Sequence, residues 1–508
     1  MMGHHSDAPR SLFCYNANLE DRIPVDHELR LIKGHIDFEF VYDEVKDRYG
    51  ERGNISIPPP AILKMMLLLV LYNVRSEREL MKTIPLRLDW LWFLDYDLES
   101  VIPNHSVVSK ARRRWGAALF KTFFERVVWQ CVEAGLVDGS KLFVDSSLIR
   151  ADASANSVVK KDAMQLHIAG SYQQFEARLD EHDPPAGDDP HDHDDHPYGH
   201  VNRSCRSTTD PDASVVRQGK DSAKLQYKVH RGVDEKAEVI TAVAVTPGIV
   251  NEAHRLVPLL EDHCRNTERE ATTVVADTKY GTVDNYLACH DRGIAAHIPD
   301  LKTKQDHTGR RGDIFPEEAF RYDPDADTYC CPGNQILTRR TRKPWKGAFQ
   351  YAPSRGVCGQ CALRAQCTKS ETGRTIRRYL RHDDLTFMRQ QAQSLKSRQD
   401  IMRRQHLMER SFAQGVRYGF KRARWRRLWR VQIQEYLTAA VQNIMIFLRH
   451  VKEQRPAQGM AAAILHQGVA YIRRVSVVCA ACILRVVPAA QQWSLITPQS
   501  NLHTIQSV

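Results

Sequence analysis

The sequence predicts an α/β protein, with a mixed sheet that follows an α-helical N-terminal part and is interrupted by a cysteine-rich stretch. From about Leu29 to Val128 the apolar residues recur at helical spacing, whereas short β-rich runs alternate with helices from about Leu142 onward. Five cysteines lie in the stretch from Cys330 to Cys367. At 508 residues the chain has room for several domains with buried cores.

The formal charge of +11 indicates excess cations, which attract polyanions and make nucleic acid the first partner to consider. Ribosome-associated, membrane-surface and simply soluble proteins share this balance, so motifs must decide. The N-terminus lacks an apolar stretch behind a basic start, and the most apolar segment, Ala61 to Val74, is shorter than the ~20 residues of a membrane span. We therefore expect a cytoplasmic protein without a membrane partner, whose cysteines are thiols or metal ligands.

The first predicted domain, residues 1–128, is helical. Its most apolar run begins after three prolines, a helix start signal, and the run SEREL continues the helical pattern. Further on, Ser106 is placed to cap a helix whose first turns are basic. The cations there are Lys110, Arg112, Arg113 and Arg114. Such a basic face is consistent with a DNA-backbone contact and equally with a merely solvated surface.

Residues 129–300 hold the runs that predict the sheet. Three strand-like runs, LFVD, LQYKVHRGVD and EVITAVAVT, precede a helix, the strand ATTVVAD, a second helix and the run IAAHIP. Hairpin strands followed by strands that alternate with helices predict a mixed sheet, and this order suits a ribonuclease-H-like fold. The stretch 181–200, rich in acids, histidines and prolines, is predicted to be a solvated loop, with metal binding by its histidines as the alternative.

Three further segments follow. Residues 301–377 are basic and cysteine-rich, which predicts an inserted subdomain. Residues 378–450 return to the sheet domain, with one long helix predicted from about Asp384 to Gln414. Residues 451–508 form a C-terminal tail without a clear pattern, and its Cys479 to Cys482 motif is interpreted as incidental.

Two aspartates are predicted to stand at the carboxyl ends of strands. Asp145 ends the run LFVD, and Asp277 ends the run TVVAD. Either one alone could simply begin a turn or cap the next helix. Because ligands bind at the carboxyl ends of strands in open α/β sheets, the two together favour a shared site.

A third acid, Glu409, is the only one among ten Lys and Arg residues between Ile401 and Arg430. It could pair with Arg410 or with an arginine at helical spacing. The polar residues around it also follow a spacing of three or four, which predicts one stripe along the helix. This stripe consists of Arg403, His406, Arg410, Gln414, Arg417, Lys421 and Arg424. Together with interleaved aromatic residues, it predicts a nucleic-acid-binding surface that carries one carboxylate.

Four of the clustered cysteines have a spacing typical of a metal site. Cys331, Cys358, Cys361 and Cys367 follow the pattern C-x26-C-x2-C-x5-C, and Cys330 is left over. A CxxC turn supplies two thiolates at the separation that tetrahedral zinc requires. We therefore expect a structural zinc ion, with free buried thiols as the alternative.

These residues lie within an ordered set of motifs. In chain order the motifs are SERELMKTIP, IPNHSVVSKARRR, FVDSSLIRADAS, YKVHRGVDE, ITAVAVTPG, VVADTKYG, MERSFAQGVRYGFKRARWR and LTAAVQNI. On these motifs, from about Leu12 to His450, the chain resembles the bacterial insertion-sequence transposases with a ribonuclease-H-like DDE domain.

The resemblance implies that Asp145, Asp277 and Glu409 form a catalytic triad that holds Mg²⁺ or Mn²⁺. It also implies DNA contacts by basic residues of the first domain and of the Glu409 segment. We take these to be Arg112, Arg113, Arg114, Arg410, Arg417, Lys421 and Arg424. It further implies an enzyme that cleaves double-stranded DNA at the inverted-repeat ends of an element and joins them to target DNA. Such an enzyme would act as a homodimer or larger oligomer on nucleoid DNA.

The sequence departs from the family pattern at three places. Asn104 stands where an aspartate is expected, Val416 where a lysine follows the glutamate, and Arg427 where a glycine is common. Without that lysine the grip on DNA ends would weaken, and Arg417 beside it is the expected substitute. Two other interpretations are a catalytically impaired DNA-binding descendant of a transposase and a zinc-bearing RNA-binding protein.

Overall fold

The computed structural model describes residues 18–50, 55–161, 199–217, 219–300, 314–343 and 347–454. The chain divides into two compact units, Met1–Phe447 and Leu448–Val508. Most of the predicted acidic loop at 181–200 lies outside the described residues, as does the tail from residue 455 with its CxxC motif. No helix in the described ranges is long and apolar enough to cross a membrane.

The N-terminal part of the first unit is helical. Its described helices are α1 (Leu19–Arg22), α2 (Glu28–His35), α3 (Phe40–Val45), α4 (Pro59–Leu71), α5 (Glu77–Thr83), α6 (Leu88–Phe93) and α7 (Ser106–Glu133). Every residue of α4 is buried, because the helix is apolar all round and α3, α5 and α7 pack against it. Its Lys64 is only 4% exposed, and its ammonium donates to the carboxylate of Asp95 at 2.7 Å. The apolar run is therefore a buried helix, as predicted.

Helix α7 bends at Gly116, whose φ of 66° lies in the left-handed region that glycine adopts without strain. The prediction that Ser106 caps this helix is wrong. Ser106 is the first helical residue, and its backbone N–H donates to the side-chain oxygen of Asn104 at 2.9 Å. Since Asn and Asp both present an oxygen acceptor, Asn104 in place of the family's aspartate preserves this contact at the helix start.

The strands from residue 141 to residue 297 are β1 (Lys141–Arg150), β2 (Val158–Lys160), β3 (Cys205–Ser207), β4 (Ser214–Val216), β5 (Lys224–Asp234), β6 (Ile240–Pro247), β7 (Thr273–Val275) and β8 (Ala295–His297). The main sheet has the order β4-β5-β1-β7-β8, with β6 paired to β5, and β2 pairs with β3 alone. β5 runs antiparallel to β1, β4 and β6, whereas β1, β7 and β8 are parallel. The predicted mixed sheet, with a hairpin portion before a parallel portion, is confirmed.

The described helices after α7 are α8 (Gly199–Ser204), α9 (Leu256–Thr267), α10 (Val283–Asp291), α11 (Arg364–Cys367), α12 (His382–Ala392), α13 (Leu395–Arg417) and α14 (residues 428–454). Helices α9, α10 and α12 pack with β1 and β7 around one apolar core, and Tyr227 and Val229 of β5 belong to a second core. The single long helix predicted from Asp384 is wrong. Two helices are present because Ser394 interrupts the helix, and its hydroxyl caps α13 by accepting from the N–H of Ser397 at 3.1 Å.

The cysteine-rich segment forms a sheet of its own. Its strands are β9 (Arg321–Asp323), β10 (Thr328–Cys330), β11 (Ile336–Lys343), β12 (Ala348–Ala352) and β13 (Ile376–Tyr379), paired antiparallel in the order β13-β12-β11-β10-β9. Among the described residues, the fully buried core is small and consists of Phe320, Tyr329, Leu337, Tyr351 and Ile376, with a few partly buried apolar side chains packed against it. So few apolar side chains give little burial to hold a separate sheet together.

The turn before α14 explains the glycine of the family pattern. Arg427 has a φ of 79°, a left-handed conformation that strains any residue with a Cβ atom. Its backbone N–H donates to Asp210 at 3.0 Å, and the next N–H, of Leu428, donates to Asp212 at 2.9 Å. The guanidinium of Arg427 also lies 3.6 Å from Asp212, so two buried aspartates hold the strained start of the helix.

Candidate active site

Asp145 and Asp277 stand side by side at the rim of the parallel strands. Phe143 of β1 is paired with Val275 of β7. Asp145 follows Phe143 by two residues, and Asp277 follows Val275 by two residues. The prediction that β1 ends at Asp145 is wrong, because β5 continues to pair with β1 as far as Arg150. The parallel pairing with β7 ends at Phe143, two residues before Asp145, and this opens the rim of the sheet beside both carboxylates.

The two carboxylates also interact electrostatically. Burial raises the pKa of Asp145, and the negative charge of Asp277 raises it further. The guanidinium of Arg404, 2.5 Å from Asp145, and the N–H of Ser146, at 2.8 Å, oppose the shift without cancelling it. Asp277 also accepts from the N–H of Lys279 at 3.0 Å, so it caps a turn as well as flanking the site.

Glu409 lies on an exposed face of α13. On this helix Arg404 is the residue that faces Asp145. Glu409 comes five residues later, which places it about 140° around the helix and ~7.5 Å along it from Arg404. Its carboxylate accepts a hydrogen bond from the side chain of Gln405 at 3.2 Å. The structure thus brings Asp145 and Asp277 together and does not place Glu409 against them, so its membership of a triad stays a prediction.

The inner face of α13 is anchored by Arg231, which lies opposite Asp145 in the pairing of β1 with β5. Its guanidinium is fully buried and donates to Glu435 of α14 at 2.6 Å and to the carbonyl oxygen of Ser411 at 3.1 Å. Burial raises the pKa of Glu435, and the arginine opposes that shift. Arg231 therefore connects the sheet, α14 and the turn of α13 that carries Glu409.

A second anchor lies near the start of the same helix. Asp400 accepts from the ammonium of Lys141, the first residue of β1, at 2.9 Å. Its other oxygen lies 2.7 Å from Nδ1 of His297, the last residue of β8. Burial lowers the pKa of His297, although Asp400 opposes this shift. The two anchors hold α13 across the rim where the aspartates stand.

Three charged residues beside the aspartates were not predicted. Glu252 is 6% exposed, and its Oε1 accepts from the ammonium groups of Lys228 at 3.0 Å and Lys279 at 2.9 Å. Burial acts to raise the pKa of Glu252, but the two lysines outweigh it and lower the pKa to about 2. Lys279, two residues after Asp277, could have been noticed in the sequence, whereas nothing there marks Glu252.

Two of the predicted DNA-contacting arginines face inward. Arg112 is 5% exposed, pairs with Glu77 and stacks over the ring of Trp425 at 3.8 Å. Arg424 donates to the carbonyl oxygens of Val74 and, at 3.2 Å, Tyr418, and burial lowers its pKa to about 10. The expectation of an accessible cation is wrong for Arg112, whereas Arg424 is half-buried. Both guanidinium groups join the N-terminal helices to the segment after α13.

The other predicted cations are exposed. Arg114 stacks on Tyr49 at 4.5 Å, and Arg410 donates to Glu238 at 3.3 Å. Arg113, Arg417 and Lys421 are exposed and form no ion pair within the described part of the chain. The predicted polar stripe holds as far as Arg417, where α13 ends, and Lys421 and Arg424 follow it in a turn.

Four cysteines of the second sheet lie around one apolar cavity, which Cys331, Cys358, Cys361 and Cys367 line together. Burial raises the pKa of Cys367, and the other three thiols raise it further, which places all four near one another. The backbone N–H of Gln335 donates to the sulfur of Cys331 at 3.2 Å. Cys330 does not line this cavity.

The donor atoms fit the expected metals in kind, but they are not gathered tightly. Carboxylates are the ligands that Mg²⁺ prefers, and thiolates suit Zn²⁺. Within the described residues, no three Asp, Glu, His or Cys side chains are arranged so that they could hold a metal ion as they stand. The paired carboxylates lack a third ligand as they stand, and the four thiols would have to close around the cavity to hold an ion.

Two family models match the chain. A model described as Transposase domain (DUF772) matches residues 17–114, and one described as Transposase DDE domain matches residues 203–444. The second match includes Asp277 and Glu409, whereas Asp145 lies between the two matched ranges. No curated protein and no solved structure matches the chain.

The paired aspartates at the rim of a mixed sheet and the two matches, which cover about two thirds of the chain, agree on the class of protein. The chain belongs to the DDE transposases of insertion sequences.

Proposed function

We propose that this chain binds the inverted-repeat ends of an insertion sequence, cuts the DNA there and joins the freed ends to target DNA. The observation that carries the proposal is the pair Asp145 and Asp277, held in register at the rim of the parallel strands. The strand order, an antiparallel hairpin followed by parallel strands, supports a ribonuclease-H-like catalytic domain.

In this proposal Asp145, Asp277 and Glu409 hold Mg²⁺, or Mn²⁺ in its place. Bound divalent ions supply Lewis-acid stabilisation of the attacking and leaving oxygens in an in-line displacement at phosphorus. The protein needs no covalent nucleophile, because water can cut the strand and the freed 3′-hydroxyl can then attack target DNA. The carboxylates must be ionised to bind the cation, so activity should fall as the medium becomes acidic.

The proposal is tested by measuring the cleavage of duplex oligonucleotides. These oligonucleotides carry the inverted-repeat ends found in the DNA that flanks the gene. Asp145→Asn should abolish Mg²⁺-dependent cleavage while leaving DNA binding intact. Asp221→Asn, an exposed aspartate away from the site, is the matched control and should cut like the wild type. Binding without cutting by the wild type would favour a catalytically impaired descendant. Binding of RNA that is indifferent to Asp145→Asn, without DNA cleavage, would favour the RNA-binding interpretation.

We also propose that the exposed cations Arg113, Arg417 and Lys421 contact DNA phosphates, while Arg114 and Arg410 lie beside them in contacts with Tyr49 and Glu238. Each phosphate contact should contribute about one unit to the slope of log affinity against log salt concentration. Arg417→Ala should lower that slope by about one. The control is Arg398→Ala, on another exposed part of α13. Arg427→Ala would not serve as a control, because Arg427 is buried. An unchanged slope in Arg417→Ala would reject its role.

A structural Zn²⁺ held by Cys331, Cys358, Cys361 and Cys367 completes the proposal for the second sheet. The small core of this sheet needs a further stabilising interaction. A zinc ion held by four thiolates contributes directly to the free energy of folding. Metal analysis of the purified protein should give one zinc per chain. Cys331→Ser should lose it, whereas Cys330→Ser, the neighbouring control, should keep it. Equal zinc content in both variants would reject this ligand set.

The arrangement of the whole chain is proposed on the same basis. Residues 1–128 form a DNA-binding domain, 129–300 and 378–450 the two parts of the catalytic domain, 301–377 an insertion and 451–508 a tail. Two element ends must be held together for joining, which favours a homodimer or larger oligomer on DNA. The place of action is then the nucleoid in the cytoplasm.

A further inference from the structure

The charged group around Glu252 lies directly beside the paired aspartates. The hydroxyl of Ser146, the neighbour of Asp145, donates to the same Oε1 of Glu252 that both lysines bind, at 3.3 Å. Two ammonium groups therefore share one carboxylate, and the group of three carries one excess positive charge. This positive charge lies beside the negative Asp145 and Asp277, which act on Lys279. A cation next to carboxylates that are proposed to bind metal is a starting point for anion binding.

The two lysines differ in access to solvent. The side chain of Lys228 is 8% exposed, and its ammonium also donates to the carbonyl oxygen of Val250 at 2.6 Å. The side chain of Lys279 is 64% exposed, and its backbone N–H is held by Asp277. Lys228 is thus enclosed in the protein, whereas Lys279 can meet a ligand that approaches the aspartates.

We propose that Lys279 binds a backbone phosphate of the DNA at the cleavage position, and that Glu252 and Lys228 hold its ammonium in place for this contact. The inference rests on the proposed function and names a part of the same site. Lysine binds phosphate as a point charge, and a phosphodiester that reaches the Asp145–Asp277 pair also comes next to Lys279. Lys279 thereby supplies a cation that the sequence lacks at Val416.

The preorganisation comes from the buried partner. Lys228 neutralises Glu252 from inside the protein. The ammonium of Lys279 can therefore contact a phosphate without leaving the buried carboxylate of Glu252 unpaired. Glu252 and Lys228 are therefore positioning residues in this proposal, and Lys279 is the residue that touches the substrate.

The first test measures binding and single-turnover cleavage of duplex oligonucleotides that carry the ends of the DNA flanking the gene. Lys279→Ala should slow cleavage at least about tenfold and lower the salt slope of binding by about one. Lys279→Arg keeps the charge and should restore most of both. Lys224→Ala, which removes a partly exposed lysine at the start of β5, is the matched control and should behave like the wild type. Wild-type cleavage and salt slope in Lys279→Ala would overturn the inference.

The second test separates a phosphate contact from a structural role. Single phosphates near the cleavage position are replaced by neutral methylphosphonates, and metal-free binding is measured with the wild type and Lys279→Ala. The loss of affinity in Lys279→Ala should disappear when the phosphate at the cleavage position is already neutral, because the two changes remove the same contact. Additive losses at that position would overturn the inference. If the wild type binds DNA but never cuts it, the proposed function fails. The metal-free binding of Lys279→Ala to the methylphosphonate DNA still decides whether Lys279 contacts the phosphate.

Discussion

The two sides of the candidate site are built differently. Asp145 lies in β1, and Asp277 follows the parallel neighbour β7 by two residues, so the pairing of these strands brings them side by side. Glu409 is carried by a helix, on a face that is exposed, and its position depends on how the opposite face is seated on the sheet. A sheet rim therefore places its carboxylates before any ligand arrives, whereas the position of Glu409, the proposed third acid, depends on the contacts that hold α13.

The largest expected effect follows from removing the main anchor of α13. Arg231→Met should leave Glu435 buried without its partner and lower the free energy of unfolding by about 3–5 kcal/mol. Urea denaturation measures this loss. The control is Arg410→Met, which breaks an exposed pair with Glu238 and should cost about 1 kcal/mol or less. Equal losses in both variants would mean that the buried pair does not seat the helix.

On the sheet side, Glu252→Gln should destabilise the protein by about 3 kcal/mol, because Lys228 keeps its charge in a buried place without a counter-charge. The pKa of Glu252 is lowered to about 2 from 4.5, so its contribution is present above about pH 4.5 and lost as the pH falls toward 2. Denaturation at pH 7 and pH 3 should show a smaller difference between wild type and variant at pH 3. A constant difference would contradict the role of the charge.

Asp210, which holds the start of α14, should make the free energy of unfolding depend on pH in the opposite direction. Burial raises the pKa of Asp210 to about 6 from 3.8, so the folded state holds a proton that the unfolded state has released between these values. The unfolding free energy should therefore fall as the pH rises from about 4 to about 6, by on the order of 1–2 kcal/mol from this group. Asp210→Asn should flatten this part of the profile, whereas Asp325→Asn, in an exposed turn, should leave it unchanged.

The smallest expected effect concerns the contact between the two sides. Arg404 pairs with Asp145 where a metal ion would bind, so Arg404→Ala should raise the affinity for Mg²⁺ about fivefold, equivalent to about 1 kcal/mol. Calorimetric titration with Mg²⁺ measures the change. Arg403→Ala, which removes the neighbouring exposed cation bound to Glu235, should alter it less. A lower affinity in Arg404→Ala would show that the arginine organises the carboxylate and does not compete for it.

Several features could be predicted because they depend on neighbours in the chain. The apolar run of α4 and the order of strands and helices follow from local spacing. The helix break at Ser394 escaped prediction, since a polar residue in a helical pattern either faces solvent or caps a new helix, and only packing decides. The same holds for Arg112 and Arg424, whose basic setting predicted a DNA surface, because Arg112 is buried and Arg424 is half-buried against Val74.

The sequence by itself determined which side chains are available: two aspartates after β-rich runs, one glutamate in a basic helix and four cysteines at metal-like spacing. Only the tertiary structure decided which of them meet. Strand pairing brings Asp145 and Asp277 together across more than a hundred residues of chain, and the same folding places Glu252, Lys228 and Lys279 beside them. The physical reason is that charges far apart in sequence interact only after the sheet and its helices have enclosed them, where burial strengthens each pairing.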